Sequence, residues 1–132
     1  MNPPVPGEVC PPRHYTHSRV QLFRFSAVSW NAHRIHYDAE FAASEGFPDV
    51  VVQSTLHGET LARHALAWAG AGSRLESVSW RNRTTAVAGE ALSWTGTVTA
   101  VEGARVSLDV AVFKADGTPC ASGTVTLALE PV

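Results

Sequence analysis

Three side chains that can hold or move a proton fall within six positions in the first third of the chain. They are Asn31, His33 and His36, with Arg34 between the two histidines. An imidazole accepts and returns a proton near neutral pH, so a histidine held at the edge of a core suits general acid–base chemistry. A primary amide takes up no proton, but its oxygen and nitrogen orient a water molecule or a hydroxyl group. His36 is therefore the candidate base and acid, against the alternative that it only caps the helix that follows. Asn31 is the candidate orienting group. His33 orients Asn31, touches a ligand or faces solvent, and Arg34 suits a carboxylate partner better than a ligand.

Other chemistry-bearing residues are more scattered. His57 and His64 lie seven apart, whereas a metal pair on a helix wants about four and carboxylate company, so no metal site is assigned. Arg81 and Arg83 flank Asn82 and are candidates to meet a phosphate-bearing arm, although exposed strand arginines are common. The four tryptophans suit a core or an interface better than a ligand platform.

The elements that must position these groups follow from patterning. Phe23 to Asp38 (FRFSAVSWNAHRIHYD) opens with Phe23, Phe25 and Ala27 alternating against Arg24, Ser26 and Val28, which predicts a half-buried strand ending in the polar cluster. Tyr15 to Leu22 is expected to form a turn of helix leading into it. Tyr37 to Gly46 (YDAEFAASEG) reads as a short helix with Asp38 as N-cap. After a break at Gly46-Phe47-Pro48-Asp49 and the apolar Val50 to Val52, Gln53 to Gly70 is the longest helix, with Ser54 or Thr55 as its cap and Gly70 and Gly72 as its stop. Leu75–Ala86, Glu90–Val101, Ala104–Lys114 and Cys120–Leu129 alternate as strands, with turns at Gly89, Glu102-Gly103 and Asp116-Gly117. The order is that of an α+β domain.

Composition sets the bounds. A length of 132 residues, 45% hydrophobic and 17% charged, is one ordinary globular domain. A net charge of −2 gives no field for nucleic acid, and no basic run suggests a membrane surface. Cys10 and Cys120 stand isolated and read as free thiols of a reducing compartment. With no signal-like start and no apolar run of membrane-spanning length, a soluble cytoplasmic protein is expected. Met1 to Arg13 carries five of the eight prolines and reads as an extended or loosely packed arm. The expected division is an arm at 1–14 and one domain at 15–132.

The His-rich stretch also resembles a known family. Asn31-Ala32-His33-Arg34-Ile35-His36 matches the positions of the Asp-x-Asn-Pro-hydrophobic-His pattern of the MaoC-like hot-dog dehydratases and hydratases. Leu22 to Ala27 (LFRFSA) and Asn31 to Asp38 are similar almost letter for letter to the branch of hydroxyacyl-thioester dehydratases and mesaconyl-CoA hydratases. The resemblance covers about Tyr15 to Leu129 and implies a single hot-dog domain, an antiparallel sheet wrapped around a long central helix.

The resemblance implies reversible dehydration of a 3-hydroxyacyl thioester, or hydration of an enoyl thioester, of CoA or acyl carrier protein, without metal or redox cofactor. It places the catalytic histidine at His36. Asn31 stands where many relatives carry a catalytic Asp, although Asn is itself the pattern of the closer branch. His33 stands where the broader family has Asn. The thioester oxygen is expected at the N-terminus of the central helix, where relatives carry His-Gly and this chain carries Gln53-Ser54. Ser54, Thr55, His33 and Arg81 are the substrate-binding candidates, and Gly58 permits close approach of helix and sheet. Hot-dog domains usually pair, which implies a homodimer or a heterodimer with another hot-dog chain. Two alternatives stand beside this reading. One is a thioesterase using Glu59 or Asp49, and the other is a non-catalytic thioester-binding subunit.

Overall fold

The computed structural model describes residues 2–130. Five strands form one antiparallel sheet in the order β1-β3-β4-β5-β2, made of β1 (Arg13–Tyr15), β2 (Arg74–Asn82), β3 (Leu92–Glu102), β4 (Arg105–Lys114) and β5 (Pro119–Ala128). Three helices precede β2, namely α1 (Arg19–Ser29), α2 (Ala39–Ser44) and α3 (Ser54–Ala69). The expected α+β hot-dog layout is what the chain adopts, with the sheet curved around α3. Strands β3, β4 and β5 turn one set of alternate residues inward, among them Trp94, Leu108, Val112, Val125 and Leu127, onto Leu56, Leu61 and Ala65 of α3. The indole of Trp94 donates to the carbonyl of Leu61 at 3.1 Å, which satisfies the polar atom of the largest core side chain. Gly58 lies so close to the Trp80 ring that an added Cβ would stand 2.5 Å from it, so the close approach expected there is real.

The strand expected at Phe23 is instead the second half of α1. Ser18 caps this helix, its hydroxyl accepting from the N–H of Gln21 at 3.0 Å. Residues four apart, Leu22 and Ser26, face inward while Phe23 and Val28 stay exposed. Alternation over six residues fits both periods, and the tertiary contacts of Leu22 and Ser26 decide for the helix. The expected N-terminal cap of α3 also shifts. Gln53, not Ser54 or Thr55, occupies the cap position, and its side chain caps nothing because it reaches back to α1.

The proline-rich arm is less loose than its composition suggests. Gly7 and Cys10 donate their N–H groups to the carbonyls of Val98 and Gly96, and Val98 donates to that of Glu8. Cys10 is buried in the core, and both cysteines are free. The short helix at α2 forms as expected, with the Asp38 carboxylate accepting from the N–H of Phe41 at 3.1 Å.

Candidate active site

The polar cluster sits on the link between α1 and α2, and a chain of local hydrogen bonds fixes its path. Helix α1 ends at Trp30 in the left-handed region (φ 56°, ψ 41°), and the N–H of Asn31 then donates to the carbonyl of Ser26 at 2.9 Å. His33 Nδ1 accepts from the N–H of Ile35 at 3.2 Å and so caps the 3₁₀ turn Arg34–His36. Arg34 pairs with Asp38 at 2.8 Å and lies over the ring of Phe41, so its partner is the carboxylate expected for it. The turn is bolted to the segment before α3. Val51 donates its N–H to the carbonyl of Ile35 at 2.8 Å, while the carbonyl of Val51 lies 2.6 Å from His36 Nδ1.

That last contact fixes the protonation of His36. A carbonyl oxygen only accepts, so Nδ1 carries the proton and Nε2 keeps the lone pair. His36 is buried, and burial holds its pKa below the ordinary histidine value. The carbonyl of Val51 pulls the other way and the neighbouring His33 adds to the lowering. The ring is therefore neutral at pH 7 and basic at Nε2.

The start of α3 provides the opposite wall. Val52 donates to the carbonyl of Ala86 and Ala88 to that of Val50, which pins the approach to the helix. Among the described residues, nothing takes up the N–H groups of Ser54 and Thr55. Two free donors at the positive end of a helix dipole suit a developing negative oxygen. The Ser54 hydroxyl is held by the side-chain amide of Asn82.

Asn31, His36, Ser54 and Thr55 meet around one cavity of about 290 Å³. His57, Asn82, Arg83, Thr84 and Thr85 also line it. Two other candidates do not join them. His33 is exposed and serves as a helix cap, with its backbone N–H 3.4 Å from the Asn31 side-chain oxygen. Arg81 points to the outer face of the sheet, because Trp80 and Asn82 on either side of it face α3. Arg83, not Arg81, reaches the cavity wall. Glu59 pairs with Arg63 and Asp49 with Arg19, each at 2.8–2.9 Å, and neither lines the cavity.

Sequence reasoning passed over His57 as one of a pair too widely spaced for metal. Its position three residues beyond Ser54, on the same side of the first turn, was the available signal. It is buried, and burial together with the proximity of His17 pushes its pKa down to about 4.

The comparisons with known proteins bear on the family and the fold. Over 60 residues the chain is 47% identical to the mesaconyl-C(4)-CoA hydratase of Chloroflexus aurantiacus, a match spanning 40% of this chain and 21% of that protein. The chain thus covers about a fifth of the length of that relative. Its fold is that of the (R)-hydratase of A. caviae involved in PHA biosynthesis (TM-score 0.87, 19% identity, 98% of this chain and 99% of that one). It is equally that of a chain of the ChsH1-ChsH2 complex of Mycobacterium tuberculosis (TM-score 0.87, 22% identity, 98% and 100%). A chain of the HadBC (3R-hydroxyacyl-ACP dehydratase) complex from the same organism gives a TM-score of 0.79 at 19% identity, over 96% and 99%. The family model for type 2 hydroxyacyl-thioester dehydratases matches residues 3–88, which hold the whole link from Asn31 to His36 and all of α3. With that match over more than half its length, and with the resemblance read from residues 22–38 borne out, the chain belongs to the type 2 hydroxyacyl-thioester dehydratase family of the hot-dog fold.

Proposed function

We propose that the chain is a hydro-lyase that interconverts a 3-hydroxyacyl thioester and the matching enoyl thioester. The reading rests on the 2.6 Å contact between His36 Nδ1 and the carbonyl of Val51, which leaves Nε2 as a lone-pair base in the cavity. In the dehydration direction Nε2 removes the proton from the carbon next to the thioester carbonyl. The negative charge moves onto the thioester oxygen, where the N–H groups of Ser54 and Thr55 stabilise it. As the carbon–carbon double bond forms, the hydroxyl on the next carbon leaves with the proton that His36 has taken, and water is released. Asn31 holds that hydroxyl, or the attacking water in reverse, through its amide. One imidazole serves both proton transfers, so no carboxylate is needed at position 31. Arg83 at the cavity wall is the cation placed for the phosphates of a CoA or carrier-protein arm.

The relatives named as complexes support pairing with a second copy or another hot-dog chain, and the mass of the purified protein in solution distinguishes the two. For the thioesterase reading, no free carboxylate lines the cavity among the described residues to activate water.

The test is the enoyl-thioester absorbance of crotonyl-CoA with purified protein. Loss of the band with formation of 3-hydroxybutyryl-CoA is expected, and His36→Ala should lower the rate by at least about 100-fold. Full activity in that variant would remove His36 from the mechanism. Binding without turnover in the wild type would favour a non-catalytic subunit instead.

A further inference from the structure

The cavity that holds His36 shares a wall with a second one, because Asn31 lines both. The second, of about 160 Å³, lies along α1 and is bounded by Phe23, Ser26, Ala27, Trp30, Ala32 and Tyr37. None of these carries a charge. Phe23 and Tyr37 stand edge to face at 6.1 Å, and the hydroxyl of Tyr37 is tied to the carbonyl of Ala32, so the groove has fixed walls.

Trp30 at its mouth is unusual in two ways. It is the one non-glycine residue with positive φ among the described residues, a position at a helix end where glycine is the unstrained choice. Its indole is also 90% exposed, beside a Phe23 that is 59% exposed. A strained backbone that holds a large apolar ring in water points to a surface used for binding.

We propose that this groove takes the aliphatic tail of the acyl group, so that Phe23, Ala27, Trp30 and Tyr37 select neutral chains longer than four carbons over short or carboxylate-ended ones. The inference rests on the thioester reading above. There the Asn31 amide marks the carbon that gains or loses the hydroxyl, and the chain beyond that carbon leaves the polar cavity where the apolar groove begins. Each methylene entering the groove is removed from water and adds affinity. A terminal carboxylate would lose its hydration there with no cation to meet it.

The test uses saturated thioesters, which bind without reacting. Butyryl-, hexanoyl-, octanoyl- and succinyl-CoA are titrated calorimetrically into the wild type, Phe23→Ser and Trp30→Gly, with circular dichroism to check that each variant is folded. In the wild type affinity should rise about two- to fourfold per added methylene. Succinyl-CoA should bind at least tenfold more weakly than hexanoyl-CoA. Both variants should flatten the dependence on chain length. An unchanged slope in the variants overturns the proposal, as does a flat dependence in the wild type. A variant that alters the oligomeric mass but not the slope assigns the groove to a protein partner and also overturns it. Because these ligands do not react, absence of hydratase activity leaves this readout intact, and the two readings fail separately.

Discussion

The side-chain nitrogen of Gln53 donates to the carbonyl oxygen of Leu22 at 2.7 Å, joining the start of the central helix to the middle of α1. The same nitrogen donates to the Ser26 hydroxyl at 2.9 Å. Gln53 is completely buried, so these bonds form out of contact with water. They hold the end of α1, and with it Asn31, against the helix that supplies the Ser54 and Thr55 donors. Replacing Gln53 by Ala removes both bonds, leaves the Ser26 hydroxyl without this partner and opens a void. A loss of about 2–4 kcal/mol in unfolding free energy is expected, read from urea midpoints at constant slope. A loss below about 0.5 kcal/mol would mean that α1 is held by other contacts.

The pH dependence of turnover follows from His36. A base must be neutral to accept a proton, and burial keeps this pKa below the ordinary histidine value. Activity should therefore persist below pH 6.5 and fall only as the medium drops through the lowered pKa. Asn31→Asp places a carboxylate in the same cavity and favours the charged ring. The acid limb of kcat/KM should then move to higher pH in the variant. An acid limb that does not move would show that residue 31 and His36 do not interact.

Acid stability follows from the buried histidines of α3. His57 and His64 both have pKa values lowered to about 4, chiefly by burial. His17 adds to the effect at His57, and Arg63, Arg13 and His17 add to it at His64. In the unfolded chain each titrates near 6.5. Above that pH both states are neutral and stability is insensitive to these groups. Between about 6.5 and 4 the unfolded chain binds protons that the fold refuses, so stability falls as pH falls. For His57 the full effect is on the order of 3 kcal/mol. Urea midpoints should drop between pH 7.5 and 4.5, and His57→Leu should reduce that drop; an equal drop in the variant would clear His57.

Much of this arrangement is legible in the residues themselves. The four long strands announce themselves by alternation, and Asp38 by its place three residues before Phe41. The cavity is legible too, since Asn31, His36, Ser54 and Thr55 converge as the family pattern implies. What local patterning hides is set at long range. The stretch from Phe23 to Val28 alternates over too few residues to fix its period, and contacts such as those of Leu22 and Ser26 with Gln53 decide for the helix. Gln53 itself reads as a helix start, yet its side chain serves α1. Arg81 and Arg83 look alike in sequence, but Arg81 lies within β2 and faces the outer side of the sheet, whereas Arg83 lies just past the end of the strand and reaches the cavity as well as that outer side.

The arm along β3 governs how the sheet can grow. Strand β3 would otherwise present an open ladder, but the arm occupies it with few donors to spare, since five of its positions are prolines without an N–H. Among the described residues the opposite border, β2, pairs only with β5. Strand addition is therefore open on one side and blunted on the other. Such a border accepts a single neighbour and then is used up, which favours a closed pair over an endless ribbon.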